Sequence, residues 1–152
     1  MALAGLRRLT THLHSATALT TRTTTTIPSH SAKVSDRMVN LYAIDPDGHK
    51  RSLIGLSGQT LLKALTNHGL IDPASHRLEE IEACSAECEV HIATEWMEKL
   101  PRATYEEEYV LRRNARSREL NRHARLACQV VVAKEMEGMV VAVPEPKAWD
   151  IP

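Results

Sequence analysis

Phenylalanine is absent from the chain, and aromatic residues make up only 3% of its 152 residues. The hydrophobic core must therefore be built from Leu, Ile, Val, Ala and Met, for which a hydrophobic content of 43% leaves room. The sequence also lacks any run of about 18 apolar residues, so we expect no transmembrane helix. The length predicts one domain of ordinary size plus a tail.

Acidic residues are missing from the first 35 positions, although this stretch contains four of the chain's 19 basic residues. It is rich in Thr and Ser, and Leu residues recur at helical spacing beside Arg7 and Arg8. An amphipathic, Arg-bearing leader of this kind is typical of a mitochondrial transit peptide, which we assign to residues 1–36. A chloroplast transit peptide and a disordered tail without a targeting role are the alternatives.

Net charge is also absent, because 19 Lys and Arg residues balance 19 Asp and Glu residues. This balance argues against a general nucleic-acid or polyanion binder. Without the first 35 residues, 15 Lys and Arg residues remain against 19 Asp and Glu residues, so the rest of the chain is mildly acidic.

Cysteine is scarce, and the three in the chain are Cys84, Cys88 and Cys128. An odd number of cysteines in a protein addressed to the reducing mitochondrial matrix argues against a disulfide framework. Metal binding and simple burial of the thiols are the two explanations that remain.

The first half of the domain has clear local signals. Alternating apolar residues predict strands over residues 39–44 and 51–56, and the Asp-Pro-Asp-Gly sequence at residues 45–48 predicts a tight turn between them. The Leu-rich stretch that follows predicts a helix, with Ser57 as its N-cap and Gly69 at its end.

The second half predicts three more strands and one more helix. The strands cover residues 88–93, 130–133 and 139–143, and the helix begins at Thr104, which has capping-box spacing to Glu107. The resulting order of elements is ββαβαββ, which indicates an α+β fold.

Residues 83–92, with the sequence A-C-S-A-E-C-E-V-H-I, resemble the cluster loop of adrenodoxin-type [2Fe-2S] ferredoxins. The sequences R-L-A-C-Q-V at residues 125–130 and V-A-V-P at residues 141–144 also resemble this family. The resemblance covers residues 38–144. It implies a ferredoxin-like β-grasp, in which helices pack on a mixed sheet.

Members of this family hold the cluster with four cysteines in a C-x5-C-x2-C pattern and one distant position, because two sulfide-bridged irons need four protein ligands. In this chain the last three positions match Cys84, Cys88 and Cys128, while the first falls on Leu78, which cannot bind a metal. The spacing from Cys84 to Cys88 is one residue longer than in the family. Three carboxylates also enter the loop: Glu79, Glu80 and Glu82. We therefore expect that the ordinary cluster is lost.

A replacement for the missing ligand lies nearby. His76 comes two residues before the vacant position, and together with Cys84, Cys88 and Cys128 it would form a Cys₃His site for a single zinc or iron ion. Buried thiols without metal are an equal alternative. A Cys₃His-bound [2Fe-2S] cluster is less favoured, although His does ligate iron in Rieske centres. Since no catalytic motif is present, we expect that the chain is not an enzyme.

The segment from Thr104 changes its charge along its length, whereas the corresponding helix of redox-active relatives is acidic and docks onto basic partners. It begins with three consecutive Glu residues and continues with six arginines: Arg112, Arg113, Arg116, Arg118, Arg122 and Arg125. These arginines suit a fixed interface with carboxylates or phosphates. In the Pro-rich tail at residues 145–152, Trp149 suits an anchor at such an interface. A solvated helix face of mixed charge is the alternative.

The resemblance extends to the ferredoxin-like accessory subunit of plant and algal respiratory complex I (NADH:ubiquinone oxidoreductase). It implies a structural bridge between the matrix and membrane arms, on the matrix side of the inner membrane, with complex I subunits as partners and no membrane span of its own. The alternative is a mitochondrial electron-transfer ferredoxin with an atypical [2Fe-2S] cluster. A free metal-binding or regulatory module has no specific support.

Overall fold

The computed structural model describes residues 33–74, 76, 84–115, 117 and 119–146. Several features singled out in the sequence lie outside these residues: most of the transit peptide, Leu78, Glu79, Glu80, Glu82, Arg116, Arg118 and Trp149.

Short helices and strands alternate along the described residues. In chain order they are α1 (Val34–Arg37), β1 (Met38–Ile44), β2 (Lys50–Leu56), α2 (Leu61–Asn67), β3 (Glu89–Ile92), α3 (Thr94–Met97), α4 (Tyr105–Asn114), β4 (Ala124–Leu126), a 3₁₀ turn (Lys134–Met136) and β5 (Val140–Ala142). In this part of the chain, none of the helices has the length and apolarity that crossing a bilayer requires.

The five strands form one mixed sheet in the order β2-β1-β5-β3-β4. β1 and β5 are parallel, with Tyr42 opposite Val140, and the other neighbouring strands are antiparallel. The α+β class and the ferredoxin-like β-grasp are therefore confirmed. The strand that comes last in the sequence occupies the centre of the sheet.

The β1–β2 hairpin turns where the sequence predicts it. The Asp45 carboxylate accepts hydrogen bonds from the His49 backbone N–H (2.7 Å) and from Arg51 Nε (2.9 Å). Gly48 adopts a φ of +85°, a left-handed conformation that glycine takes without a steric penalty. Local turn chemistry is thus sufficient to close this hairpin.

Helix α2 begins later than the sequence suggests, because its N-cap is Thr60 and not Ser57. The Thr60 hydroxyl accepts a hydrogen bond from the Lys63 backbone N–H at 3.4 Å. The backbone N–H of Ser57 instead donates to the Arg37 carbonyl (2.8 Å), so Ser57 belongs to the contact with α1. Gly69 has a φ of +68° just beyond the end of the helix, as expected.

The strand predicted over residues 130–133 is wrong. The Val130 carbonyl accepts a hydrogen bond from the Leu61 backbone N–H at 2.7 Å, and Val132 exchanges two bonds with the loop before α2. The bond from Leu61 satisfies a free donor at the start of α2, and the bonds of Val132 hold the loop before it, so the segment lies against the start of this helix instead of joining the sheet. The fourth strand is β4, which begins six residues earlier in the chain, at Ala124, and is only three residues long.

Helix α4 is held to the sheet by a buried ion pair. Thr104 caps the helix as predicted, since its hydroxyl accepts a hydrogen bond from the Glu107 backbone N–H (3.2 Å). The Glu107 side chain does not complete a capping box but turns inward, where it accepts hydrogen bonds from Arg125 Nε (2.8 Å) and the Leu126 backbone N–H (2.8 Å). Arg125 is only 4% exposed, so its predicted role at a docking face is wrong. A buried guanidinium requires such a partner.

Candidate metal centre

The strands bring two of the cysteines together. Cys88 lies directly before β3 and Cys128 lies two residues after β4, and these strands pair antiparallel with Glu89 opposite Leu126. The start of one strand and the end of the other therefore meet at the same end of the sheet. The backbone N–H of Ala127 donates to the Cys88 carbonyl (2.9 Å) and fixes this contact.

All four predicted ligands lie together. The Cys84 sulfur is 3.8 Å from the Cys88 sulfur and 3.6 Å from His76 Nε2, and the Cys88 sulfur is 3.6 Å from that of Cys128. The four donor atoms all lie within 4.8 Å of one another, and the three cysteines form no disulfide. Whether they bind a metal ion remains a prediction.

The spacing of these donors can be compared with the two kinds of metal centre. In a tetrahedral site with metal–sulfur bonds of about 2.3 Å, the ligand sulfurs lie about 3.8 Å apart. The observed sulfur–sulfur distances of 3.6 and 3.8 Å agree with this value. Ligands on opposite irons of a [2Fe-2S] centre are separated by more than about 5 Å, because the two metals lie between them. The donor set therefore fits one ion better than a binuclear cluster.

Burial and mutual contact perturb the acidity of the thiols. The pKa of Cys84 is well below its usual range, because the Cys128 and Cys88 thiols hydrogen-bond to its sulfur. Hydrogen bonds with the Cys128 and Cys84 sulfurs, together with burial, raise the pKa of Cys88. Without a cation only part of the cluster can ionise, because adjacent thiolates repel one another. A divalent metal ion would supply the positive charge that lets the other thiols ionise.

Three further groups hold the cysteines in place. The Ala86 backbone N–H lies 3.4 Å from the Cys84 sulfur, and Gln129 Nε2 lies 3.5 Å from the Cys128 sulfur. Arg113 Nη2 donates to the Cys84 carbonyl at 3.0 Å. Sequence reasoning missed Ala86 and Gln129 and placed Arg113 on a docking face. Nothing in the local sequence distinguishes Arg113 from the other arginines of the segment.

Ala86 has a φ of +62°, a left-handed conformation that is unfavourable for a residue with a side chain. It lies midway between Cys84 and Cys88, where the chain has one residue more than the family pattern. The extra residue is thus absorbed by a tight turn, which keeps both sulfurs on the same side of the loop.

No family model matches the chain. Adrenodoxin from Gallus gallus is 30% identical over 131 residues, which cover 86% of this chain and 89% of adrenodoxin. The mitochondrial adrenodoxin-like protein 1 of Drosophila melanogaster is 30% identical over 113 residues, or 74% of this chain, and the match spans only 62% of that longer relative.

Among solved structures, ferredoxins are also similar to this chain. The crystal structure of a ferredoxin from Rhodopseudomonas palustris HaA2 superposes with a TM-score of 0.60 at 30% identity, covering 72% of this chain and 99% of that ferredoxin. Putidaredoxin in its covalent complex with putidaredoxin reductase superposes with a TM-score of 0.59 at 27% identity, covering 70% of this chain and 99% of putidaredoxin. By sequence and by fold, the chain belongs to the adrenodoxin- and putidaredoxin-type [2Fe-2S] ferredoxin family.

Proposed function

We propose that the chain is a structural member of this ferredoxin family that holds one zinc or iron ion and neither carries electrons nor catalyses a reaction. The observation that supports this proposal is the donor set of Cys84, Cys88, Cys128 and His76. Its four donor atoms lie within 4.8 Å of one another, which suits the ligands of one tetrahedral ion.

A metal ion at this position would connect three separate parts of the chain. His76 follows α2, Cys84 and Cys88 lie before β3, and Cys128 follows β4. Binding of a structural metal ion adds directly to the free energy of folding. With four protein donors the coordination sphere is closed, so no position is left at which the metal could activate a substrate or water.

More specifically, we propose that the chain is the ferredoxin-like accessory subunit of mitochondrial respiratory complex I, on the matrix side of the inner membrane. This assignment is supported by the sequence resemblance, by the acid-free leader, and by relatives that are named as mitochondrial proteins. A subunit that bridges two arms of an assembly needs a stable fold and docking surfaces. It does not need a reversible redox centre.

The second candidate is a mitochondrial electron-transfer ferredoxin with an atypical Cys₃His-bound [2Fe-2S] cluster. The relatives favour this function over the complex I assignment, because they are named adrenodoxin, putidaredoxin and ferredoxin. Putidaredoxin has also been crystallised in a covalent complex with its reductase. A reductase would then be the partner of this chain, and the cysteine loop would have to open to admit two irons.

Metal and sulfide analysis of the full chain, purified from its native source, separates the two candidates. The structural proposal expects one zinc or iron per chain, no acid-labile sulfide and no paramagnetic signal from a reduced [2Fe-2S] cluster. Two irons with two labile sulfides and such a signal would establish the electron carrier instead. Native electrophoresis of solubilised membranes then tests the assembly, because a chain found entirely in a small, free pool contradicts the complex I assignment.

A further inference from the structure

The three cysteines of the cluster differ in their access to solvent. Cys84 is 3% exposed and Cys88 is fully buried, whereas Cys128 is half-buried. A small oxidant dissolved in water can therefore reach the Cys128 sulfur, while protein atoms cover the other two sulfurs. Because oxidation of a cysteine requires contact between its sulfur and the oxidant, oxidation of this cluster should begin at Cys128.

A second sulfur lies within reach of Cys128. The Cys88 sulfur is 3.6 Å away, and a disulfide bond is about 2.05 Å long, so the two sulfurs need to approach by roughly 1.5 Å. The backbone already joins the two positions, because the Ala127 N–H donates to the Cys88 carbonyl (2.9 Å) and the Gln129 N–H donates to the Leu126 carbonyl (2.9 Å). Rotation of the two cysteine side chains can therefore close the bond while the sheet stays paired.

Cys84 is the competing partner of Cys88, with 3.8 Å between their sulfurs. Both sulfurs are buried, so an oxidant could reach this pair only after the loop had opened. The loop is also held in place, since Arg113 donates to the Cys84 carbonyl (3.0 Å) and Ala86 already occupies a left-handed conformation between the two cysteines. The pair that includes Cys128 is therefore the more reactive one.

We propose that Cys128 and Cys88 form a site of reversible oxidation, at which hydrogen peroxide converts the two thiols into a disulfide and the metal site is emptied. The proposal rests on the structural function proposed above and adds regulation to that same site. A permanent disulfide does not suit a reducing compartment, but a transient one that forms in response to an oxidant does.

The reaction takes two steps. The Cys128 sulfur attacks one oxygen of the peroxide, the O–O bond breaks, and a sulfenic acid forms while hydroxide leaves and is protonated to water. The Cys88 sulfur then attacks the Cys128 sulfur, the S–S bond forms, the S–O bond breaks, and a second hydroxide leaves and is protonated to water. The two sulfurs lose two electrons, which the peroxide gains, and the protons come from the thiols or from solvent. Two equivalents of a small thiol reverse the change and are themselves oxidised to a disulfide.

Oxidation changes which parts of the chain are connected. Only Cys84 and His76 remain as donors, and two protein ligands do not complete the tetrahedral site that a structural metal ion requires. The disulfide still links the start of β3 with the end of β4, but the link to His76, which follows α2, is lost. The site is thus loosened on the side of α2 while the paired strands stay joined.

The test uses the full-length chain loaded with one equivalent of zinc, which has no redox chemistry of its own. Hydrogen peroxide is added in steps, released zinc is measured with a coloured chelator, and the oxidised cysteines are identified by mass spectrometry of the alkylated, digested chain. We expect one zinc released for each disulfide formed, with Cys88 and Cys128 in the linked pair of peptides. Addition of a small thiol should restore the reduced chain and its capacity for one zinc.

Cys128→Ser and Cys84→Ser are the matched variants, because each removes one of the three sulfur donors but only the first removes a partner of the disulfide. After the same exposure to peroxide, Cys84→Ser should contain as much intramolecular disulfide as wild type. Cys128→Ser should contain at least about tenfold less, since its two remaining thiols are buried. Circular dichroism establishes that both variants are folded, and if one is not, the linked peptides of wild type decide the question alone.

Three results would overturn the proposal without affecting the structural function: a disulfide that maps to Cys84 and Cys88, a Cys128 oxidised to sulfinic acid with no disulfide, and zinc that stays bound as the peroxide is consumed. A chain from its native source that contains two irons and two labile sulfides would contradict the structural function, and the oxidation site would fail with it. Metal analysis before the addition of peroxide therefore separates the two failures.

Discussion

Two groups of metal-binding residue types lie in different parts of the described chain, and they differ in what their donors already do. The first is the cysteine cluster, with His76. The second, in the β1–β2 turn, consists of Asp45, Asp47 and His49, whose donor atoms also lie within 4.8 Å of one another. Proximity alone therefore does not distinguish the two groups.

The hydrogen-bonding and charged partners of the donor atoms do distinguish the two groups. The Asp45 carboxylate is occupied by the His49 backbone N–H and by Arg51, and Asp47 and His49 are exposed to water. In the cluster, Cys84 and Cys88 are buried, and the thiols mainly contact one another. Such thiols gain most from a cation, whereas the Asp45 carboxylate already has one in Arg51. Four substitutions can break or sharpen this contrast.

The largest effect is expected from Cys88→Ser. Cys88 is fully buried and its sulfur contacts both other cysteine sulfurs, so its loss removes the central donor. Chelator competition should give a metal affinity that is lower by about 1,000-fold, with a lower midpoint of thermal unfolding. Asp47→Asn in the turn is the control and should leave both quantities unchanged. A Cys88→Ser chain that still binds one equivalent of metal at wild-type affinity would contradict the site.

His76→Ala should have a smaller effect. His76 is half-buried at the edge of the cluster, so water can take the fourth position once the imidazole is removed, and we expect about a 100-fold loss of metal affinity. His91→Ala is the matched control, because His91 lies on β3 beside Glu89 (3.3 Å) and away from the cluster. Equal metal content in His76→Ala and wild type at limiting metal would remove His76 from the site.

Gln129→Leu tests the hydrogen bond from the Gln129 amide to the Cys128 sulfur. The substitution keeps a side chain of similar size but removes the donor, so the affinity for metal should fall by about tenfold or less. The chelator competition used for Cys88→Ser also measures the metal affinity of this variant. An effect as large as that of Cys88→Ser would mean that Gln129 itself serves as a ligand.

Asp45→Asn should have no effect on metal content, but it should change the dependence of stability on pH. Burial opposes ionisation of Asp45, yet the hydrogen bonds from His49 and Arg51 lower its pKa below the usual value of 3.8. Its stabilising contribution is thus present above about pH 4 and is lost as the pH falls through the lowered pKa. Urea unfolding midpoints of wild type and Asp45→Asn should differ at about pH 6 and converge toward about pH 2. A constant difference over this range would exclude the titration of Asp45 as its cause.

Sequence reasoning succeeded where the determining contacts are local. The Asp45–Gly48 turn and the Thr104 cap each depend on residues within four positions of one another, so their patterns carry the information. The cysteine cluster is not local, and the sequence alone left metal binding and plain burial open. The family resemblance supplied the grouping with His76, and the structure brings the four residues together.

Sequence reasoning failed where contacts with a distant segment determine the local structure. Residues 130–133 alternate like a strand, but their backbone groups bind the start of α2, about 70 residues earlier in the chain. Arg125 looks like one of six similar arginines, yet it is buried because Glu107 turns inward from α4. No local pattern records which of several possible partners a polar group will meet.

The position of β5 has a consequence for how the protein is made. β1 and β2 form a hairpin, β3 and β4 form a second antiparallel pair, and β5 joins these two halves as the central strand. Since β5 is the last of the five strands in chain order, the sheet cannot close until Val140–Ala142 has left the ribosome. A chain truncated before Val140 would leave two separate strand pairs with open edges, prone to aggregate.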